Sequence, residues 1–156
     1  RWDQRISYPI AGNVPLPMAA ANDVATVALR WLVRRDWEGS QGIAVHGPND
    51  LSLEQAATII SAALERPVHY KSASAEDYIR TLMRAGASAE YARSRVEMFT
   101  ELAHGITRAE PRTAESTTVT TLAAWAERNL VPLVESLPGE PKQQTNLCKA
   151  SYAQII

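Results

Sequence analysis

His46-Gly-Pro-Asn-Asp-Leu-Ser-Leu-Glu-Gln-Ala-Ala57 (HGPNDLSLEQAA) admits two readings with different consequences for the whole chain. It follows a short apolar run, Ile43-Ala-Val45, so it reads as a strand, a tight Gly-Pro turn and a helix start. A strand, a glycine and a helix N-terminus are the parts of a phosphate cradle, because backbone amides and the helix dipole converge on an anion there. Such a cradle needs glycines spaced as GxGxxG or similar, so that the backbone can approach the phosphate. Here Gly47 stands alone, and Pro48 removes the next amide donor. Asp50 and Glu54 flank the helix start, where they favour the dipole but repel phosphate. The alternative is a capped turn. Ser52-Leu-Glu-Gln55 is a capping box, with the Ser52 hydroxyl accepting from the Gln55 amide and the Gln55 side chain reaching back. Chemistry favours the second reading.

Around this stretch the pattern alternates helices with short apolar runs. Arg5–Ile10 reads as a strand, with Pro9 near its end. Asn22 or Asp23 caps a helix whose Val24, Val27, Ala28, Trp31 and Leu32 share a face, with Arg30, Arg34 and Arg35 on or near the other. Gly39–Gly42 breaks it. Ile43–Val45 is a second strand, and the helix after Ser52 buries Ala56, Ile59, Ile60, Ala63 and Leu64 until Arg66-Pro67 stops it. Val68–Ser72 is a third strand. Ser74 caps a helix with Tyr78, Ile79, Leu82 and Met83 inward, ended by Gly86. Ser88 opens another with Tyr91, Ala92, Val96, Phe99 and Leu102 on its apolar side, and Gly105 is its left-handed stop. The polar stretch Thr107–Thr121 reads as an ordered surface loop, because Thr120 or Thr121 then caps a last helix carrying Leu122, Trp125, Ala126, Leu130, Leu133 and Val134. About five helices and three short strands result. Strands so widely spaced do not close a parallel sheet of their own, so this reads as part of a larger sheet.

Bulk properties narrow the function classes. With 156 residues the chain can bury a real core. Sixteen basic and seventeen acidic residues nearly cancel, with no basic run, which argues against nucleic acid or an anionic membrane as partner. The apolar stretches fall far short of the roughly 20 residues that span a bilayer. Cys148 is the one cysteine, which excludes an internal disulfide and a cysteine-based zinc site and suits a reducing, cytoplasmic setting. The chain opens Arg1-Trp2-Asp3 without a methionine, as a piece of a longer protein would. After Leu137, Pro138–Asn146 has little to bury, so 138–156 is expected to be a flexible tail.

No catalytic constellation appears. Tyr91-Ala-Arg-Ser-Arg95 has the spacing of a tyrosine–lysine proton-transfer pair but ends in arginine, which stays charged and cannot tune a tyrosine by deprotonating. His46, His69 and His104 follow no metal spacing, though His46 and His69 could lie on neighbouring strands. There is no GxSxG elbow. The mildly functional feature is Pro15-Leu-Pro-Met18, an apolar segment whose prolines fix an extended path, with Met18 as an adaptable contact.

Taken in order, several passages resemble the carboxy-terminal half of NmrA-like proteins, atypical members of the extended short-chain dehydrogenase superfamily. They are the Pro15-Leu-Pro17 segment followed by Asn22-Asp-Val-Ala25, then Gly42-Ile-Ala-Val-His-Gly-Pro48, Glu65-Arg-Pro-Val-His-Tyr70 (similar to a usual Gly-Arg-Pro-Val), Pro111–Thr118 and Trp125-Ala126. The resemblance covers roughly residues 6 to 134 and implies an α/β, Rossmann-type NAD(P)-binding fold. In that family the amino-terminal half holds the nucleotide loop, and that half lies outside this chain. Residues 1–137 would then be the substrate-side subdomain. The implied activity is NAD(P)-dependent reduction of a quinone or other carbonyl acceptor; the alternative is a non-catalytic dinucleotide sensor acting on a protein partner. The implied pocket residues are Pro15, Leu16, Pro17, Met18, Tyr78, Met83 and Phe99. No catalytic, cofactor-binding or metal-ligating residue is assigned. The chain by itself is expected not to bind NAD(P) and to self-associate through exposed apolar faces.

Overall fold

A computed structural model describes residues 4–34, 36–40 and 42–136. Its elements are β1 (Arg5–Ile6), α1 (Ala21–Arg34), α2 (Leu53–Leu64), β2 (His69–Tyr70), α3 (Ala75–Arg84), α4 (Ala89–Ala103), a 3₁₀ turn (Ile106–Arg108), α5 (Leu122–Trp125), a π turn (Ala126–Leu130) and α6 (Val131–Glu135). The expected tail, 138–156, lies outside the described residues, as do Arg35 and Cys148.

β1 and β2 form a two-stranded parallel sheet, Arg5 opposite His69 and Ile6 opposite Tyr70. The third expected strand does not form. Ile43–Val45 is extended but irregular, and its continuation makes one parallel bridge, His46 to Thr117. Three apolar residues cannot make a strand without a neighbour to take their hydrogen bonds, and here only one residue pair supplies it. His46 and His69 therefore belong to different pairings rather than to adjacent strands.

The capping box at Ser52 is present in full. The Gln55 amide donates to Ser52 Oγ at 3.2 Å and the Ser52 amide to Gln55 Oε1 at 2.9 Å. Ser74, Ser88 and Thr121 cap α3, α4 and α5 in the same manner, each accepting from the amide three residues on. α2 ends with Glu65 in the left-handed region, φ 52°, and Arg66 N–H returning to the Ser61 carbonyl. The last helix is not the uniform one that the apolar spacing predicts. α5 and α6 are joined by a π turn in which Val131 N–H reaches Ala126 O. Pro132 explains it: the ring lacks an N–H and crowds the carbonyl four residues back, so the ladder adjusts just ahead of it.

Two buried clusters hold the fold. Ile10, Leu16, Leu53, Tyr78, Leu82, Ala92 and Phe99 form the first, where α3 and α4 pack on the Pro15–Met18 segment and the start of α2. Ile60, Leu64, Val68, Ala126 and Leu130 form the second, between the end of α2 and the last helical run. Three residues expected inside are exposed: Met83, Tyr91 and Leu133. Met83 and Tyr91 sit at the margin of their helices' apolar arcs, where helical spacing alone does not decide, and Leu133 follows the π turn, which breaks the spacing that would place it inward.

α1 departs most from expectation. It begins at Ala21, so Asn22 and Asp23 lie within its first turn rather than capping it. It buries no residue, and Leu29, Leu32 and Val33 are 60–68% exposed. Asp23 has a different role. Its carboxylate accepts from the Thr120 amide at 3.1 Å and from Thr120 Oγ1 at 2.9 Å, tying α1 to the start of α5.

Candidate functional site

The turn after His46 is built by contacts within the chain. His46 is buried, with its amide on the Ser116 carbonyl at 2.7 Å and its carbonyl accepting from the Thr118 amide at 2.8 Å. Its Nδ1 shares a hydrogen bond with Ser116 Oγ at 3.2 Å. Gly47 comes next because no other residue fits. A Cβ there would sit 1.6 Å from the Met18 carbonyl oxygen. The Arg112 guanidinium closes the turn by donating to the Gly47 carbonyl and to the Asp50 carboxylate. The threonine-rich loop is thus a strap, held by Arg112 and Ser116 at this turn and by Thr120 on α1.

This geometry tests the turn as a dinucleotide cradle. Gly47 N–H points to the Pro17 carbonyl at 3.4 Å, Pro48 has no N–H, and Glu54 N–H goes to the Gly12 carbonyl at 3.1 Å. Ser52 and Gln55 serve each other. No set of free amides converges, and carboxylates stand at the helix start. The turn does not fit a pyrophosphate.

Across Gly47 lies the Pro15–Met18 segment. Leu16 pairs in an antiparallel bridge with Leu51, through N–H···O contacts of 3.0 and 2.9 Å, and its side chain is buried in the first cluster. Met18 packs on the same cluster. Phe99 is the centre of an aromatic group: Tyr8 stacks on it at 4.9 Å and Tyr78 meets it edge-on at 5.7 Å, interplanar angle 87°. Leu16, Met18, Tyr78 and Phe99 are therefore brought together. Pro15 and Pro17 flank them in sequence and are half-buried, while Met83 lies exposed outside the cluster.

Two participants are invisible to sequence reasoning. Tyr8 reads there only as part of a strand, yet it stacks on Phe99. Tyr70 places its hydroxyl between the Tyr8 and Ile10 carbonyls, at 3.0 and 2.6 Å. Burial raises its pKa to about 12. The signal in the sequence is the tyrosine's place in Val68–Ser72 after Pro67, which says strand and nothing of the partner.

The comparisons with solved structures agree on the fold. The chain has a portion of the NmrA-like, Rossmann-type fold. It aligns with triphenylmethane reductase of Citrobacter sp. in its NADP(H) complex, with a TM-score of 0.56 at 16% identity, over 80% of this chain and 44% of that one. It aligns similarly with NmrA, a negative transcriptional regulator solved with NAD, with a TM-score of 0.55 at 17% identity, over 88% of this chain and 46% of that one. In sequence, 99 residues are 30% identical to festuclavine dehydrogenase easG of Aspergillus fumigatus, 63% of this chain and 34% of that protein. The chain thus spans about a third of its curated relative and under half of its structural neighbours. No family model matches it. Among the described residues no helix is long and apolar enough to cross a membrane, and no group of His, Cys, Asp and Glu side chains could hold a metal ion.

Proposed function

We propose that residues 1–137 are the substrate-side, carboxy-terminal part of an NmrA-like NAD(P)-dependent oxidoreductase, reducing a quinone or other carbonyl-type acceptor, in a cytoplasmic setting. The observation that carries this reading is the fold shared with triphenylmethane reductase in its NADP(H) complex, joined to sequence likeness to a dehydrogenase. The nicotinamide, when bound, supplies the hydride. The chain's own part is to bind and orient the acceptor and to keep water away. Pro15, Leu16, Pro17 and Met18 would form a wall, backed by Tyr78 and Phe99; Met83 is exposed and stands apart from that wall. The dinucleotide's phosphates would lie outside these residues, since the Gly47 turn does not fit them. The natural full-length protein should bind NADPH or NADH in a fluorescence titration and oxidise it with a quinone or aldehyde. Tight binding with no turnover on any acceptor would sink the enzyme reading, and no binding would sink the dinucleotide reading altogether.

A second reading has its own support in the likeness to NmrA, a regulator. On it, the protein senses NAD(P) and acts on a protein partner. A partner captured more strongly with NADP⁺ than with NADPH, or the reverse, supports it. Capture indifferent to the dinucleotide counts against it.

A further inference from the structure

The arginines of α4 are not equivalent. Arg93 is exposed and has Glu90 and Glu97 at helical pairing distance. Arg95 has Tyr91, Ala92, Met98 and Phe99 at those positions, so its own helix offers it no acid. It is half-buried all the same. Its guanidinium lies over the Phe99 ring, 5.6 Å from the centroid, and Nη1 reaches Met98 Sδ at 3.2 Å. A ring face and a thioether hold a cation in place but do not neutralise it. Among the described residues no carboxylate pairs with it. The ring beneath it belongs to an aromatic group: half-buried Tyr8 stacks on the same Phe99, and Tyr91 is half exposed one turn away.

The geometry points to Arg95 as an anion-recognising residue at the edge of the Tyr8–Phe99 stack, selecting aromatic ligands that carry an acidic group. This rests on the substrate-side reading above and names the ligand class for it. An aromatic ring supplies area for Tyr8, Met98 and Tyr91. An acidic substituent completes the guanidinium, whose planar fork suits a carboxylate or sulfonate. A half-buried cation with no acidic partner among the described residues keeps its charge uncompensated, and a bound anion would compensate it. Arg95 is a positioning and specificity residue here, not a catalytic one.

The test uses the natural full-length protein with two probes, anthraquinone-2-sulfonate and neutral 2-(hydroxymethyl)anthraquinone, followed by calorimetry. The charge-assisted contact predicts that the sulfonate binds about tenfold or more tightly than the neutral quinone. Arg95→Met should bring the two affinities together by weakening the sulfonate alone, and Arg95→Lys should restore part of the difference. An unchanged melting temperature in Arg95→Met shows that the fold is intact. A ratio that survives in Arg95→Met overturns the proposal, and so does failure of both probes to bind the wild type. If Arg95→Met melts early and Arg95→Lys does not, the lysine variant decides: it must keep the sulfonate preference or the proposal falls. NADPH titration runs in parallel. Loss of dinucleotide binding with sulfonate preference retained would refute the oxidoreductase reading and leave Arg95 standing.

Discussion

Replacing Gly47 with alanine should destabilise the centre of the molecule. The requirement there is space, since the added Cβ would stand 1.6 Å from the Met18 carbonyl oxygen and 2.6 Å from its carbon. Ordinary contact begins at 3.4 Å, and the obstacle is backbone, which cannot swing aside as a side chain can. Separating the two segments breaks the Gly47–Pro17 hydrogen bond and strains the Leu16–Leu51 pair. Two or three such bonds at about 1 kcal/mol each, together with about 1–3 kcal/mol for overpacking, stand against roughly 0.4–1 kcal/mol gained by stiffening the unfolded chain. The net is about 3 kcal/mol, a fall of roughly 10 °C in melting temperature for a domain of this size. Gly42 is the control. Nothing lies within 4 Å of its added Cβ, so Gly42→Ala should be neutral or stabilise by up to about 1 kcal/mol. Urea unfolding of both variants in the full-length protein gives the numbers. A Gly47→Ala variant within about 0.5 kcal/mol of wild type would refute the packing argument. A phosphate-loop glycine would behave otherwise, losing ligand while sparing the fold.

Other substitutions follow from the same structure. Glu65 holds a left-handed φ of 52° at the end of α2; Glu65→Gly removes the Cβ that disfavours it and should stabilise by up to about 1 kcal/mol, measured by chemical denaturation, and a loss of stability would count against it. Tyr70→Phe removes the hydroxyl lodged between the Tyr8 and Ile10 carbonyls and should cost about 1–2 kcal/mol. The native Tyr70 pKa of about 12 lies above the ordinary 10, so its contribution is full below pH 10 and lost as the pH rises toward 12, because the unfolded chain ionises first. Melting temperatures across that window should fall more steeply for wild type than for Tyr70→Phe, and parallel curves would refute it. Leu29→Gln with Leu32→Gln alters two side chains 60 and 68% exposed. Melting of the 156-residue chain should shift little while its self-association by sedimentation drops, and unaltered association would show that α1 is not the sticky face.

The sequence speaks most clearly where one local rule acts alone. Ser52 with Gln55, Ser74, Ser88 and Thr121 each mark a helix start, because a hydroxyl and an amide three residues on suffice to satisfy an orphan donor. Glu65 is subtler. The NmrA-like pattern it resembles has glycine before Arg-Pro-Val, and this residue adopts the conformation that glycine takes most readily. What the sequence conceals depends on distant partners. Asp23 has the look of a cap and is instead committed to Thr120, 97 residues away. Ile43–Val45 has the look of a strand and finds no strand beside it among the described residues. Tyr8 sits in a short apolar run, and nothing there announces that Phe99 stacks on it.

The same division explains which parts of this molecule need more than themselves. α2, α3 and α4 bury residues in the two clusters, and their caps are satisfied internally. Their arrangement follows from local rules plus a core that the described residues complete. α1 and the β1–β2 pair follow different physics. A two-residue parallel pair contributes few hydrogen bonds and is marginal without further strands. A helix of 14 residues that buries none of them gains little from packing, and isolated helices of that length are marginal in water. Yet α1 carries an apolar arc that a surface helix has no reason to display, and it is fixed to the body through Asp23 and Thr120, two polar residues at one end. A polar anchor at one end sets the direction of a helix without covering its apolar side. The arc is therefore left uncovered by the described residues, and β1 and β2 leave the sheet as thinly supported. Those elements, rather than the Gly47 turn, are the ones that local rules and the two clusters stabilise least.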